Sequence, residues 1–153
     1  MQLIKHSNDT PLVLIQGPST MENHGGNIAF SVQDPDKAQY DFRVIERLAN
    51  DKGISLRTGC FCNPGTGEIV HGLTNEEICQ AFSYDRPVQF SEFVDMAAQH
   101  WNKFPSSIRV STGIASNFKD VYFMMAFLET LLDRPAAEVN AIKVERTEYP
   151  DTA

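Results

Sequence analysis

Cysteine is scarce in this chain: three residues in 153, an odd number, with Cys60 and Cys62 only one residue apart. Thiols that close do not pair comfortably and one is always left over, which speaks against a disulfide framework and for a reducing, cytoplasmic compartment. Positive charge is short as well. Thirteen Lys and Arg stand against 20 Asp and Glu, for a formal net charge of -7, and the bases are scattered, so nucleic acid and anionic membrane surfaces are not expected partners. Long apolar runs are missing: those around Leu12–Ile15 and Val121–Leu132 fall short of the roughly 20 residues that a membrane span needs. The first residues lack a charged-then-apolar leader pattern, and there are no internal repeats or low-complexity tracts. What is present is 42% hydrophobic residues over a length suited to one packed domain.

Local patterns supply the elements. Leu12–Gln16 is a short apolar run ended by Gly17-Pro18, and Asn27–Val32 alternates Ile28, Phe30 and Val32 with smaller or polar residues; both predict strands. Phe42, Ile45, Leu48 and Ala49 have helical spacing within Tyr40–Lys52, with Asp41 near the start and Gly53 as a stop. Ile54–Arg57 predicts a strand that leads into "GCFCNPGTGE", where Pro64 and a run of glycines up to Gly72 predict a loop. Thr74 and Glu77 form a capping-box pair. A second short helix is predicted around Phe90–Trp101, a strand over Ile108–Thr112, and a long helix from Asn117 to Leu132 that Asp133-Arg134-Pro135 stops. This order predicts an α+β fold, a small mainly antiparallel sheet with helices over one face. Residues 25–133 form the domain, 1–24 a leading strand and connection, and 134–153 a polar tail.

The chemistry concentrates in two places. A thiol of ordinary pKa is only a few per cent ionised at neutral pH; Arg57 and loop N–H groups beside Cys62 would raise that fraction. Read from the residues alone, Cys60 and Cys62 are equally well small apolar residues packed beneath the loop. A zinc set of Cys60, Cys62, His71 and Cys79 is the rival, although structural sites usually place two residues between paired cysteines. Arg109 leaves the strand opposite Ile108 and Val110, either as a solvated charge or as a bidentate carboxylate clamp. His71 reads as an ordinary polar residue, Asp85, Glu92 and Asp95 as solvated charges, and Phe123, Met124, Met125 and Phe127 as core or as surface that another domain covers.

The runs "GISLRTGCFCNPG" (Gly53–Gly65) and "SSIRVSTGIASNFKDVYFMMAFLETLL" (Ser106–Leu132), with "GGNIAFSV" (Gly25–Val32) before them, resemble the C-terminal small domain of class V aminotransferases. That pyridoxal-phosphate group includes cysteine desulfurases, selenocysteine lyases and molybdenum-cofactor sulfurases, and "GCFCN" is most similar to the last, although Thr66-Gly67-Glu68 stands where many of those have a further cysteine. The resemblance implies the C-terminal domain of a fold-type I enzyme. It implies that Cys62 accepts sulfur as a persulfide, with Cys60 as a second thiol, and that Arg109 and Arg57 bind a small amino-acid substrate, Arg109 by its carboxylate. The cofactor lysine belongs to a large domain that 153 residues leave no room for, so that domain is the expected partner, with a homodimer left open. The segment alone is expected to be inactive. A stand-alone sulfur-carrier or interaction module is the alternative, separated from the first reading by whether a large apolar patch lies bare.

Overall fold

The computed structural model describes residues 4–18, 20, 22, 25–61 and 63–142. Four strands, β1 (Val13–Ile15), β2 (Asn27–Val32), β3 (Arg57–Gly59) and β4 (Ser107–Ser111), form one sheet in the order β1-β2-β4-β3. All its pairings are antiparallel, so the fold is the expected α+β class. The period-two pattern of β2 sets its register. Phe30 pairs with Ile15 on one side and Ile108 on the other, which aligns the apolar side chains of three strands on one face.

That face is the core. Against Phe30, Val32, Val13 and Ile108 pack Ile45 and Ala49 of α1 (Phe42–Asn50) and Met124, Phe127 and Leu128 of α5 (Phe118–Glu129). Phe30 is fully buried; truncating such a residue to alanine costs about 3–5 kcal/mol. α1 begins at Asp41, whose carboxylate accepts the Arg43 N–H at 2.9 Å. α4 (Phe90–Trp101) is tied to α1 by the Arg43–Asp95 ion pair at 2.6 Å, so Asp95, expected to be a solvated charge, is a half-buried tie between helices. Glu92 is likewise paired, with Arg86. Among the described residues no helix is long and apolar enough to cross a membrane.

Three expectations change. The stretch read as loop contains α2 (Pro64–His71), capped by the Asn63 side chain and ended at Gly72, which takes the left-handed conformation at φ 62°. Gly65 and Gly67 lower its propensity by about 1 kcal/mol each. The proline in its first turn has φ preset for a helix, and Gly72 closes the last carbonyls without strain, so the ends decide against the composition. The strand expected over Ile54–Arg57 lies later, at β3, because Ile54 and Leu56 turn toward the core before the ladder with β4 begins.

The chain also does not become a tail at 134. α6 (Ala136–Asn140) buries Ala136 and Val139, and Ala136 N–H donates to Asp34 Oδ2 at 2.8 Å. The leading segment carries β1 and packs into the fold: Leu12 is fully buried, and His6 bridges the Gln33 carbonyl at 2.9 Å and the Asp133 N–H at 3.0 Å.

Candidate functional site

The face of the sheet opposite the core carries the candidate residues. Arg109 of β4 is the register partner of Ala29 on one side and of Arg57 on the other. Directly opposed residues of an antiparallel pair share a face, so two arginine side chains leave neighbouring positions on one face. Like charges placed this way repel, and an anion between them removes the penalty. Arg57 is exposed and Arg109 half-buried. Next along β3, Gly59 has φ 146°, a backbone conformation open to glycine, and a Cβ built there would meet Arg109 Nη2 at 3.7 Å. That is an ordinary van der Waals distance, so it is the backbone angle and not crowding by the arginine that calls for glycine at the start of the cysteine segment.

β3 ends at Gly59 and delivers an exposed Cys60, a free thiol. Cys62 lies outside the described residues. Beyond it α2 and α3 (Asn75–Ala81) close a cavity of about 220 Å³, lined by Cys60, Phe61, His71, Phe82, Phe93 and Pro105 among others. Its wall is largely aromatic, with Phe82 stacked on Phe93 at 5.4 Å between ring centroids. Besides the Cys60 thiol and the Glu68 carboxylate, His71 is its polar member. Burial lowers its pKa, favouring the neutral ring, and its Nε2 lies 3.4 Å from Ser107 Oγ, which ties α2 to β4. The Gly59–Ser107 register pair thus separates the two arginines from Cys60 and His71, which line the cavity, and neither arginine lines it.

Cys79 is exposed on α3, and among the described residues no three His, Cys, Asp or Glu side chains converge as metal ligands. Lys5, Lys37, Lys52 and Lys119 are exposed. Lys103 is bound to Glu77 at 2.7 Å and to the Gly72 carbonyl at 2.6 Å. None of these amines lines the cavity beside Cys60.

Sequence reasoning brought Arg57 and Arg109 to attention separately but not as neighbours, because their pairing is a matter of non-local register. It also set His71 aside. The signal that could have found it is the position itself, the last residue of a helix closed by a left-handed glycine and preceded by a capped start at Asn63.

Comparison with known proteins decides the kinship. The chain is 32% identical over 127 residues to the molybdenum cofactor sulfurase of Solanum lycopersicum, a match that takes in 83% of the chain and 15% of the relative. The chain is a homologue of the molybdenum cofactor sulfurases. The sulfurase of Oryza sativa subsp. japonica is 30% identical over 132 residues, covering 83% of the chain and 15% of the relative. That of Arabidopsis thaliana is 25% identical over 163 residues, covering 98% and 18%. No family model and no solved structure matches the chain. The chain spans about a sixth of the length of these sulfurases, as a single domain of a longer enzyme would. A match over 83% of 153 residues cannot avoid the middle of the chain, so the cysteine segment and β4 lie within the part shared with these sulfurases.

Proposed function

We propose that the chain is the small C-terminal domain of a pyridoxal-phosphate-dependent sulfur-transfer enzyme of the class V desulfurase type. Arg109, with Arg57, takes the carboxylate of a small amino-acid substrate, and Cys62 accepts its sulfur. The observation that carries this reading is the β3–β4 pairing, which sets Arg109 opposite Arg57 and beside Gly59, at the head of the cysteine segment. A guanidinium presents two parallel N–H donors that match a carboxylate, and a second positive charge alongside strengthens the hold. With the carboxylate fixed, a thiolate arriving from the adjoining segment meets a substrate already oriented.

The described lysines do not fit the role of the cofactor's anchoring amine, since four are exposed and Lys103 is committed to Glu77 and Gly72. We therefore assign pyridoxal phosphate to a large domain outside this segment and derive no step through it. The segment by itself is inactive in this reading. A stand-alone sulfur carrier or interaction module is the other reading. Against it stands the apolar surface at the start of α5, where Ile114, Phe118, Tyr122 and Phe123 are all exposed; single apolar residues at a surface are ordinary, whereas a group of them marks a face that a partner covers.

The test follows alkylation of the chain by limiting iodoacetamide across pH, read by intact mass, with Cys60→Ser and Cys62→Ser variants alongside. Early reaction of Cys62, with an apparent pKa well below that of a free thiol, is the expected result. Slow and equal reaction of both cysteines would remove Cys62 as a nucleophile preorganised by this domain.

A further inference from the structure

Two polar atoms in the region of the arginine strip are buried without a hydrogen-bond partner among the described residues, Gln16 Oε1 and Arg109 Nε. They belong to one row of the sheet. Gln16 N–H donates to the Ala29 carbonyl at 2.8 Å, which continues the β1–β2 ladder one residue past Ile15. Ala29 is the register partner of Arg109, and Arg109 that of Arg57. The row therefore runs Gln16, Ala29, Arg109, Arg57, and its members face the same side. Strands lie about 4.8 Å apart, so the backbones of Gln16 and Arg109 are roughly 10 Å apart. Only the methyl group of Ala29 stands between two long side chains. One unpartnered atom is an acceptor and the other a donor, so each is what the other lacks.

We infer that Gln16 is a positioning residue for Arg109: the two side chains are not bonded to each other in this structure, and when the Nη1–Nη2 fork takes a carboxylate the Gln16 side-chain carbonyl accepts the Nε–H. This rests on the reading of Arg109 as a carboxylate clamp and adds to it the residue that fixes the plane of the clamp. A guanidinium bound through its fork alone still turns about its stem. Holding Nε–H removes that freedom, and the fork then meets the carboxylate already aligned.

The test uses the full chain, labelled with ¹⁵N in its arginine side chains, with L-alanine as the carboxylate probe and its methyl ester as the control without a carboxylate. The Nε–H signal that disappears in Arg109→Lys identifies Arg109. In the wild type with L-alanine that proton exchanges slowly. Gln16→Met keeps the shape, loses the acceptor, speeds the exchange and weakens L-alanine binding by about threefold to tenfold, the worth of one hydrogen bond. Gln16→Glu keeps the acceptor and so keeps the slow proton, while its charge competes with the probe and lowers affinity further. Backbone amide spectra establish that each variant is folded. Unchanged Nε–H exchange and unchanged affinity in a folded Gln16→Met overturn the inference while leaving the clamp intact. Wild-type L-alanine binding by Arg109→Lys removes the clamp instead, and the exchange of the Nε–H then decides the role of Gln16 alone.

Discussion

Tyr40 shows how much one side chain can carry. Its hydroxyl sits within 3.1 Å of the Leu131 carbonyl and 2.7 Å of the Arg134 carbonyl, joining the start of α1 to the turn before α6. Burial, with the Asp34 carboxylate adding to it, pushes its pKa up to about 12. The folded state thus holds the phenol proton where an unfolded chain, at a pKa of about 10, releases it. The stability this confers is fully present below pH 10 and is lost as pH rises toward 12, a window that phenolate absorbance and circular dichroism follow together. Tyr40→Phe removes the one O–H proton that the Leu131 and Arg134 carbonyls share, and urea unfolding should show a loss of about 1–3 kcal/mol. Roles of this kind are hard to read in sequence. Asp41, Thr74 and Asn117 were legible as caps because a cap acts on the next three residues. His71 and Asp95 acquire their partners from strands and helices far along the chain, so nothing near them signals the role.

At the scale of elements, α5 stands out for a strong start and an exposed first turn. Asn117 accepts the Lys119 N–H at 2.8 Å while Asp120 accepts the Asn117 N–H at 2.9 Å, a reciprocal cap. Removing it by Asn117→Ala should cost about 1 kcal/mol in thermal or urea unfolding. Asn117→Ser should recover most of that, since serine caps nearly as well. The same logic explains which elements were legible. β2, α3, α4 and α5 carry a hydrophobic period, a cap or both, and they fall where the pattern places them. α2 carries neither period nor favourable composition; its existence depends on its two ends and on the cavity it closes, which composition does not display. α6 is only five residues long, too short for a period to show, and is held by Val139 in the core and Asp34 at its first turn.

For the molecule as a whole, the balance of burial predicts an unfinished surface. Met124, Phe127 and Leu128 of α5 are core, yet Phe118, Tyr122 and Phe123 of the same helix face outward with Ile114 before them. Phe123, Met124, Met125 and Phe127 read in the sequence as core or covered surface without being divided, because an all-round apolar helix does not reveal which side meets the sheet. Phe118→Ser with Tyr122→Ser should lower binding of a hydrophobic dye and raise solubility. Such exposed positions usually change stability by no more than about 0.5 kcal/mol. An equal dye signal with a collapsed melting temperature would show instead that the two rings support the core. The strand order has a separate consequence, for the time at which this domain can form. β4 is the inner strand that joins β2 to β3, and it is the last of the four to be made. During synthesis every residue through Asn102 can leave the ribosome while β3 still has no neighbour to bond and the β2 edge stays open. Such long-range closure is slow and leaves strand edges open to aggregation. The arrival of Ile108 and Arg109 therefore closes the sheet and completes the cationic strip in one event, so a chain interrupted before them has neither a fold nor a site.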